Sequence, residues 1–472
     1  MTHVLGVAAV AALTLAPACG IAGTTATTSP GTPARTSVVA TTPPLLGATL
    51  RTSQAAAEAL SAGVLETIEP ATTDPGWRPV LVTDRFGTTT AVWDRTAGGR
   101  FTAQRTPSGT WSPPVSLGCT SPFTCGSVVL GVDRTGTVTA AWDENTGRPR
   151  VHVLTKSVAG AWSQPVTLTG PTGRPNGFEP RLDVAPNGSA VIGYQLPAGG
   201  VVVVRKPADR TWTQARVRKF SDMDISNGVA IGRDGRVVVV GDRQVRGGQS
   251  AVMVHVFRPG VGWLAPRELG REGGFTQLAF LDMGRTGSTA VAWTVGTKDF
   301  RYSAVAVRRM STHYRWDRTK VISPWFGQSH AAFVSSVAVG PRATVTVIWS
   351  GRTYKASTRL PSGVWVRRQP VPTGATLQFA GYSTNAAGDA AVPWYTTNVV
   401  DGSLASENLF ISIRDHPSLT WRRSETLGTS SCGTGERGDP GCRPFAVSTL
   451  PDGSTLVSWF DLTNALVARL VH

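Results

Sequence analysis

The chain has 472 residues and a net charge of +16, with 46 basic residues against 30 acidic ones. That length overruns a usual single hydrophobic core, and nothing beyond the N-terminus is apolar enough to cross a membrane. The basic excess is nearly all arginine, since Lys156, Lys206, Lys219, Lys298, Lys320 and Lys355 are the only lysines. It comes without the aromatic-interleaved basic motifs of RNA-binding proteins.

The opening run Val4–Ala18 is apolar but too short to span a bilayer, and reads as a signal peptide over residues 1–18 whose basic n-region is reduced to His3. Ala16-x-Ala18 suits signal peptidase I. The small residues before Cys19 also resemble the lipobox of bacterial lipoproteins, with Ala16 standing where a larger aliphatic residue is usual. Residues 19–58 are rich in Thr, Ser, Pro, Ala and Gly, a composition that cannot bury a core and predicts a flexible tether. A lipid on Cys19 would make the chain a surface-anchored lipoprotein. Plain secretion is the alternative, and a cytoplasmic protein is a third.

From residue 59 to 472 the chain repeats. A turn glycine is followed six residues later by a large residue closing an Ala/Val-rich run, as in Gly87/Trp93, Gly136/Trp142, Gly188/Tyr194, Gly287/Trp293, Gly388/Trp394 and Gly453/Trp459. Gly235/Gly241 lacks the large residue, and Ala343/Trp349 lacks the glycine. Asp, Asn and Pro before the glycine set up a tight turn, and glycine supplies positive φ without steric cost. A third run, such as Val201–Val204, follows. A fourth carries a second tryptophan series: Trp111, Trp162, Trp212, Trp263, Trp316, Trp365 and Trp421.

The two series use all 15 tryptophans except Trp77 and Trp325. Generic core filler would not keep such register, whereas rings between neighbouring sheets would. Four strands in a unit of roughly 50 residues is the blade of a β-propeller. The spacing therefore predicts an all-β fold of eight four-stranded blades, with seven blades or a β-sandwich array as alternatives. The last unit has only three strands, Pro444–Leu450, Ser454–Phe460 and Asn464–Val471. Ala59–Ile68 is predicted to supply the fourth and close the ring, leaving no open edge.

Cysteine spacing points to an oxidising compartment. Cys119 with Cys125 and Cys432 with Cys442 form two close pairs in loops between blades, leaving Cys19 odd. Neither pair has a zinc spacing, and the scattered histidines, the missing nucleophile elbow and the missing phosphate loop give no metal, cofactor or catalytic residue. Arginines cluster near outer strands (Arg205, Arg210, Arg216, Arg218; Arg308, Arg309, Arg315, Arg318). They are read either as attraction to a polyanion or as solvated edge residues that discourage strand pairing.

The phrase Val132-Asp133-Arg134-Thr135-Gly136-Thr137-Val138-Thr139-Ala140-Ala141-Trp142, followed by Trp162-Ser163-Gln164-Pro165-Val166, resembles the repeats of secreted actinobacterial β-propeller proteins. Many of those carry sialidase-like or lectin-like labels. The resemblance implies fold over nearly all of residues 77–472 and is almost silent on activity. Sialidase Asp-box turns place tryptophan three residues after glycine. Here the interval is six, and no arginine triad can be matched, so no catalytic residues are carried over.

The expected ligand face carries the loops joining successive blades and those joining second to third strands. Trp325, outside both packing series, is the best candidate for stacking on a sugar, with Phe326, His330, Asp299, Arg301 and Tyr302 beside it. The leading reading is an exported, lipid-anchored module that binds a glycan, an anionic wall polymer or a protein. The alternative is a sialidase-like glycoside hydrolase or lyase with carboxylates on the ring face.

Overall fold

A computed structural model describes residues 62–74, 76–95, 98–119, 125–145, 149–158, 160–168, 177–223, 225–245, 249–270, 274–297, 299, 301–327, 331–373, 378–379, 383–385, 387–400, 403–415, 419–423, 426–430 and 445–472. They form eight antiparallel sheets, the blades of a β-propeller. Blade 1 comprises Gly76–Thr83, Thr89–Arg95, Arg100–Arg105 and Val115–Ser116. Blade 2 comprises Val129–Val132, Val138–Asn145, Pro149–Lys156 and Val166–Leu168. Blades 3 to 7 repeat the pattern, with the outer strand broken into two pieces in blades 4, 5 and 7. The first strands of successive blades pack against one another around the centre.

Seven of the eight first turns have the same backbone hydrogen bonding; in blade 6, where Ala343 replaces the glycine, Thr344 N–H donates to Pro341 C=O instead. In blade 1, Asp84 N–H donates to Thr88 C=O at 2.9 Å and Gly87 N–H to Asp84 C=O at 3.2 Å. This is the three-residue hairpin whose last position is left-handed. The glycines there have φ between +79° and +96°, and Ala343, the one substitute, takes φ +58°. Because the first strands run in one direction, these turns share one rim of the ring. The second-to-third turns and the inter-blade loops share the other.

The second-strand aromatics fill the gaps between blades. Trp93, Trp293, Trp349, Trp394 and Trp459 are each at most 2% exposed. Two of these rings abut a glycine of the preceding blade, where a side chain would not fit. A Cβ on Gly270 would stand 2.8 Å from the Trp293 ring, and one on Gly428 2.5 Å from Trp459. In blade 4, Gly241 pairs with Met253, and Phe220, Met223 and Met253 are buried in that interface.

Closure follows the predicted plan with slightly shifted limits. Phe445–Thr449, Thr455–Phe460 and Leu466–Val471 receive Ala62–Glu69 as the outer strand of blade 8. Glu66 lies opposite Ala468 in an antiparallel ladder. Cys119 and Cys125 form the expected disulfide between blades 1 and 2. Cys19, Cys432 and Cys442 lie outside the described residues.

Arg308, expected as an edge residue or polyanion contact, instead ties blades together, as do Arg236 and Arg469 outside the clusters picked from the sequence. Arg236 donates to Gly287 C=O at 3.1 Å and Thr312 C=O at 2.9 Å, Arg308 to Leu269 C=O at 3.1 Å, and Arg469 to Leu427 C=O at 2.8 Å. Each guanidinium crosses from one sheet to the next. Arg216 and Arg218, on the outer strand of blade 3, are exposed as expected.

Candidate functional site

The residues expected at the ligand face gather on one edge of blade 5. Its second strand is Thr289–Thr297 and its third Tyr302–Met310, and Asp299 and Arg301 belong to the turn between them. Asp299 accepts from the Thr297 hydroxyl at 2.6 Å and from Arg301 N–H at 3.2 Å. Those two bonds hold its carboxyl below the usual range. Phe326–Gly327 pairs back on Tyr302 and Ser303, which brings the loop tryptophan to the same edge. Trp325 is 48% exposed and Tyr302 51%. Phe326 faces the other way: its ring lies 6.0 Å from Trp349 and packs into the interface with blade 6. His330 lies outside the described residues. The result is an open aromatic ledge.

A deeper cleft of about 640 Å³ lies between blades 1 and 2. Strand alternation builds it. Trp142 and Glu144 project from one face of the second strand of blade 2, and His152, Leu154 and Lys156 from the matching face of the third. Trp142 sits directly opposite His152. The imidazole is held on three sides: Nε2 lies 3.0 Å from Glu144 Oε2, Nδ1 3.2 Å from the Thr167 hydroxyl, and the ring 5.7 Å from that of Trp142. Gln104, Ser112 and Ser116 of blade 1 supply polar groups opposite, and the disulfide lies in the wall. Burial depresses the ammonium pKa of Lys156.

Trp162 completes the cleft. Its indole N–H is buried and has no acceptor among the described residues. A buried donor without a partner costs about 1–3 kcal/mol, which an acceptor on a bound molecule would recover. Sequence reasoning assigned Trp142 and Trp162 to packing and His152 to a scatter. The available signal was periodicity: Trp142 and Glu144 sit two apart on a strand, facing a histidine in the next strand.

Two carboxylates on first strands reach across to the next blade. Asp183, in the first strand of blade 3 (Phe178–Val184), accepts from Ile231 N–H of blade 4 at 2.7 Å and from Val184 N–H at 2.9 Å. Asp282, in the first strand of blade 5 (Gly274–Met283), accepts from Val339 N–H of blade 6. Ser383 does the same for Thr449 N–H at 2.9 Å. Burial raises both carboxyl pKa values, that of Asp183 to about 7, and the charge of Asp282 adds to the rise at Asp183. Among the described residues no group of three or more His, Cys, Asp or Glu is arranged to hold a metal ion.

No family model matches the chain, and no curated protein matches it. Solved structures do. A polysaccharide lyase, ulvan lyase bound to a GlcA(1-4)Rha3S ligand, aligns over 86% of this chain and 95% of its own, with TM-score 0.48 and 11% identity. The BP39L lectin from Burkholderia pseudomallei aligns over 75% and 99%, with TM-score 0.47 and 14% identity. A leech intramolecular trans-sialidase aligns over 88% and 94%, with TM-score 0.34 and 9% identity. Its eight sheets make the chain an eight-bladed β-propeller.

Proposed function

We propose that the protein is an exported, lipid-anchored propeller that binds carbohydrate without transforming it, with the cleft between blades 1 and 2 as its site. One observation carries the reading: the Trp162 N–H, which has no acceptor among the described residues, set in a concave wall with a fixed His152–Glu144 pair and the Trp142 ring. Aromatic surface covers the apolar face of a sugar, and a few aimed polar groups fix its orientation. The volume, about 640 Å³, suits a short oligosaccharide.

The hydrolase or lyase alternative would need a free carboxyl pair on the ring. Asp183 and Asp282 are the carboxylates in question, and each is engaged by the backbone N–H of the next blade. That bonding fits a clasp between blades better than proton transfer to a substrate.

Glycan-array binding followed by calorimetry on the best ligand tests the proposal. Trp162→Phe keeps a ring and removes the N–H donor, and Glu144→Gln frees the imidazole. Each should weaken binding about tenfold, the equivalent of roughly 1.4 kcal/mol. Unchanged affinity in both variants would remove the cleft from consideration, and turnover of the bound glycan would favour the enzyme.

A further inference from the structure

The rim that carries the eight first turns holds a feature independent of the carbohydrate cleft. Two positions before the turn glycine stand Arg85 in blade 1, Arg134 in blade 2, Arg233 in blade 4 and Arg285 in blade 5. All four line one cavity of about 500 Å³ at the mouth of the central channel, together with Thr83 of blade 1 and with Asn187, Thr384 and Asn385 from other blades. From the rim, the geometry points to a binding site for a multiply charged oxyanion, held by guanidinium groups that converge from four blades.

The local charge balance favours this. All four arginines are exposed, and among the described residues none lies within ion-pair distance of a carboxylate. Two acids, Asp84 and Asp133, line the same cavity and leave the four arginines in excess; their carboxylates, and that of nearby Asp234, are turned to other partners. Asp84 accepts from Phe86 and Thr88 N–H at 2.8 and 2.9 Å. Asp133 accepts from Thr135 and Thr137 N–H at 2.8 and 3.0 Å. Asp234 pairs with Arg236 at 2.8 Å.

The rim is also rigid. Arg134 N–H donates to Pro186 C=O at 3.1 Å, and the Asn187 amide to Arg233 C=O at 2.9 Å, so adjacent turns are clamped to each other. Four like charges thus surround one cavity, two of them, Arg134 and Arg233, on turns clamped to a neighbour, and an anion relieves their repulsion. Arginine, with its planar fork of donors, suits phosphate or carboxylate groups better than lysine does.

Calorimetry with tripolyphosphate and, in parallel, trigalacturonate tests the site and separates phosphate from carboxylate groups as the source of charge. Binding of at least one probe is expected, weakening steeply between 50 and 200 mM salt (roughly a tenfold loss or more). The R85A/R134A/R233A/R285A variant should lose binding at least tenfold, and the less perturbed R134A/R285A variant should lose part of it. R216A/R218A, on the outer strand of blade 3, and Trp162→Phe, in the carbohydrate cleft, should bind as the parent does. Absence of binding by both probes, or an equal loss in R216A/R218A, would overturn the proposal. An unaffected rim in Trp162→Phe keeps this outcome separate from that of the cleft.

Discussion

Glu66 and Arg105 close the ring. The carboxylate of Glu66, on the outer strand of blade 8, receives Arg105 Nη2 at 2.7 Å and Nε at 2.8 Å from blade 1. The Trp111 indole N–H adds a third bond to the same carboxylate at 2.8 Å. Three residues along the strand, Glu69 accepts from Trp93 Nε1 at 2.6 Å and from Arg95 Nε at 3.0 Å. The N-terminal strand is thereby joined to blade 8 by its ladder and to blade 1 by two charged clasps.

Glu66→Ala should cost roughly 2–3 kcal/mol, since it leaves a largely buried guanidinium and an indole N–H without their acceptor. Urea denaturation measures this, and deletion of residues 62–69 should be far more damaging. Equal stability of Glu66→Ala and the parent would show that the backbone ladder alone closes the ring.

Trp325 and Phe326 are adjacent but should behave oppositely. Trp325→Ala removes an exposed ring, with an expected effect within about 0.5 kcal/mol. Phe326→Ala removes packing against Trp349 and should cost roughly 2–3 kcal/mol, its partial exposure keeping it below a fully buried phenylalanine. Thermal unfolding separates the two. If Trp325→Ala abolished glycan binding at unchanged stability, the ledge on blade 5 and not the cleft would be the sugar site.

Stability should fall as pH rises through neutrality. The Asp183 carboxyl titrates near 7 in the folded chain against an ordinary value of 3.8, so between those limits the native state binds more protons than the unfolded one. The contribution is complete below about pH 4 and is lost as pH rises through about 7. Denaturation midpoints at pH 5.5 and 8 should differ in that sense, by an amount on the order of 1–2 kcal/mol. Asp183→Asn keeps an acceptor for Ile231 N–H and should flatten the dependence. An unchanged slope would assign it to other groups.

Reduction of Cys119–Cys125 should cost about 2 kcal/mol, the loop-closure entropy of so short a ring. The same bond lines the proposed sugar cleft, so C119S/C125S should weaken glycan binding as well as stability. Peptide mapping without reductant should also recover Cys432 joined to Cys442. Free thiols there would contradict an oxidising compartment.

Mass spectrometry of membrane fractions should find lipid on Cys19. An unmodified N-terminus in the medium would leave plain secretion in its place.

The blade count, the turn chemistry and the N-terminal closure were all legible in the sequence. They depend on local periodicity: a glycine that must have positive φ, a strand of fixed length, and an aromatic that must reach the preceding sheet. Ala343 shows how strong that local demand is, because it adopts the left-handed conformation in the glycine's place. The sites were decided elsewhere. His152 and Glu144 look unremarkable along the chain and meet only because adjacent strands pair in one register. Arg85, Arg134, Arg233 and Arg285 stand in four different blades and converge only because the ring closes. Glu66 meets Arg105 across 39 residues for the same reason. Repetition makes architecture readable from one unit, whereas a binding site depends on which non-equivalent side chains the closed ring brings face to face.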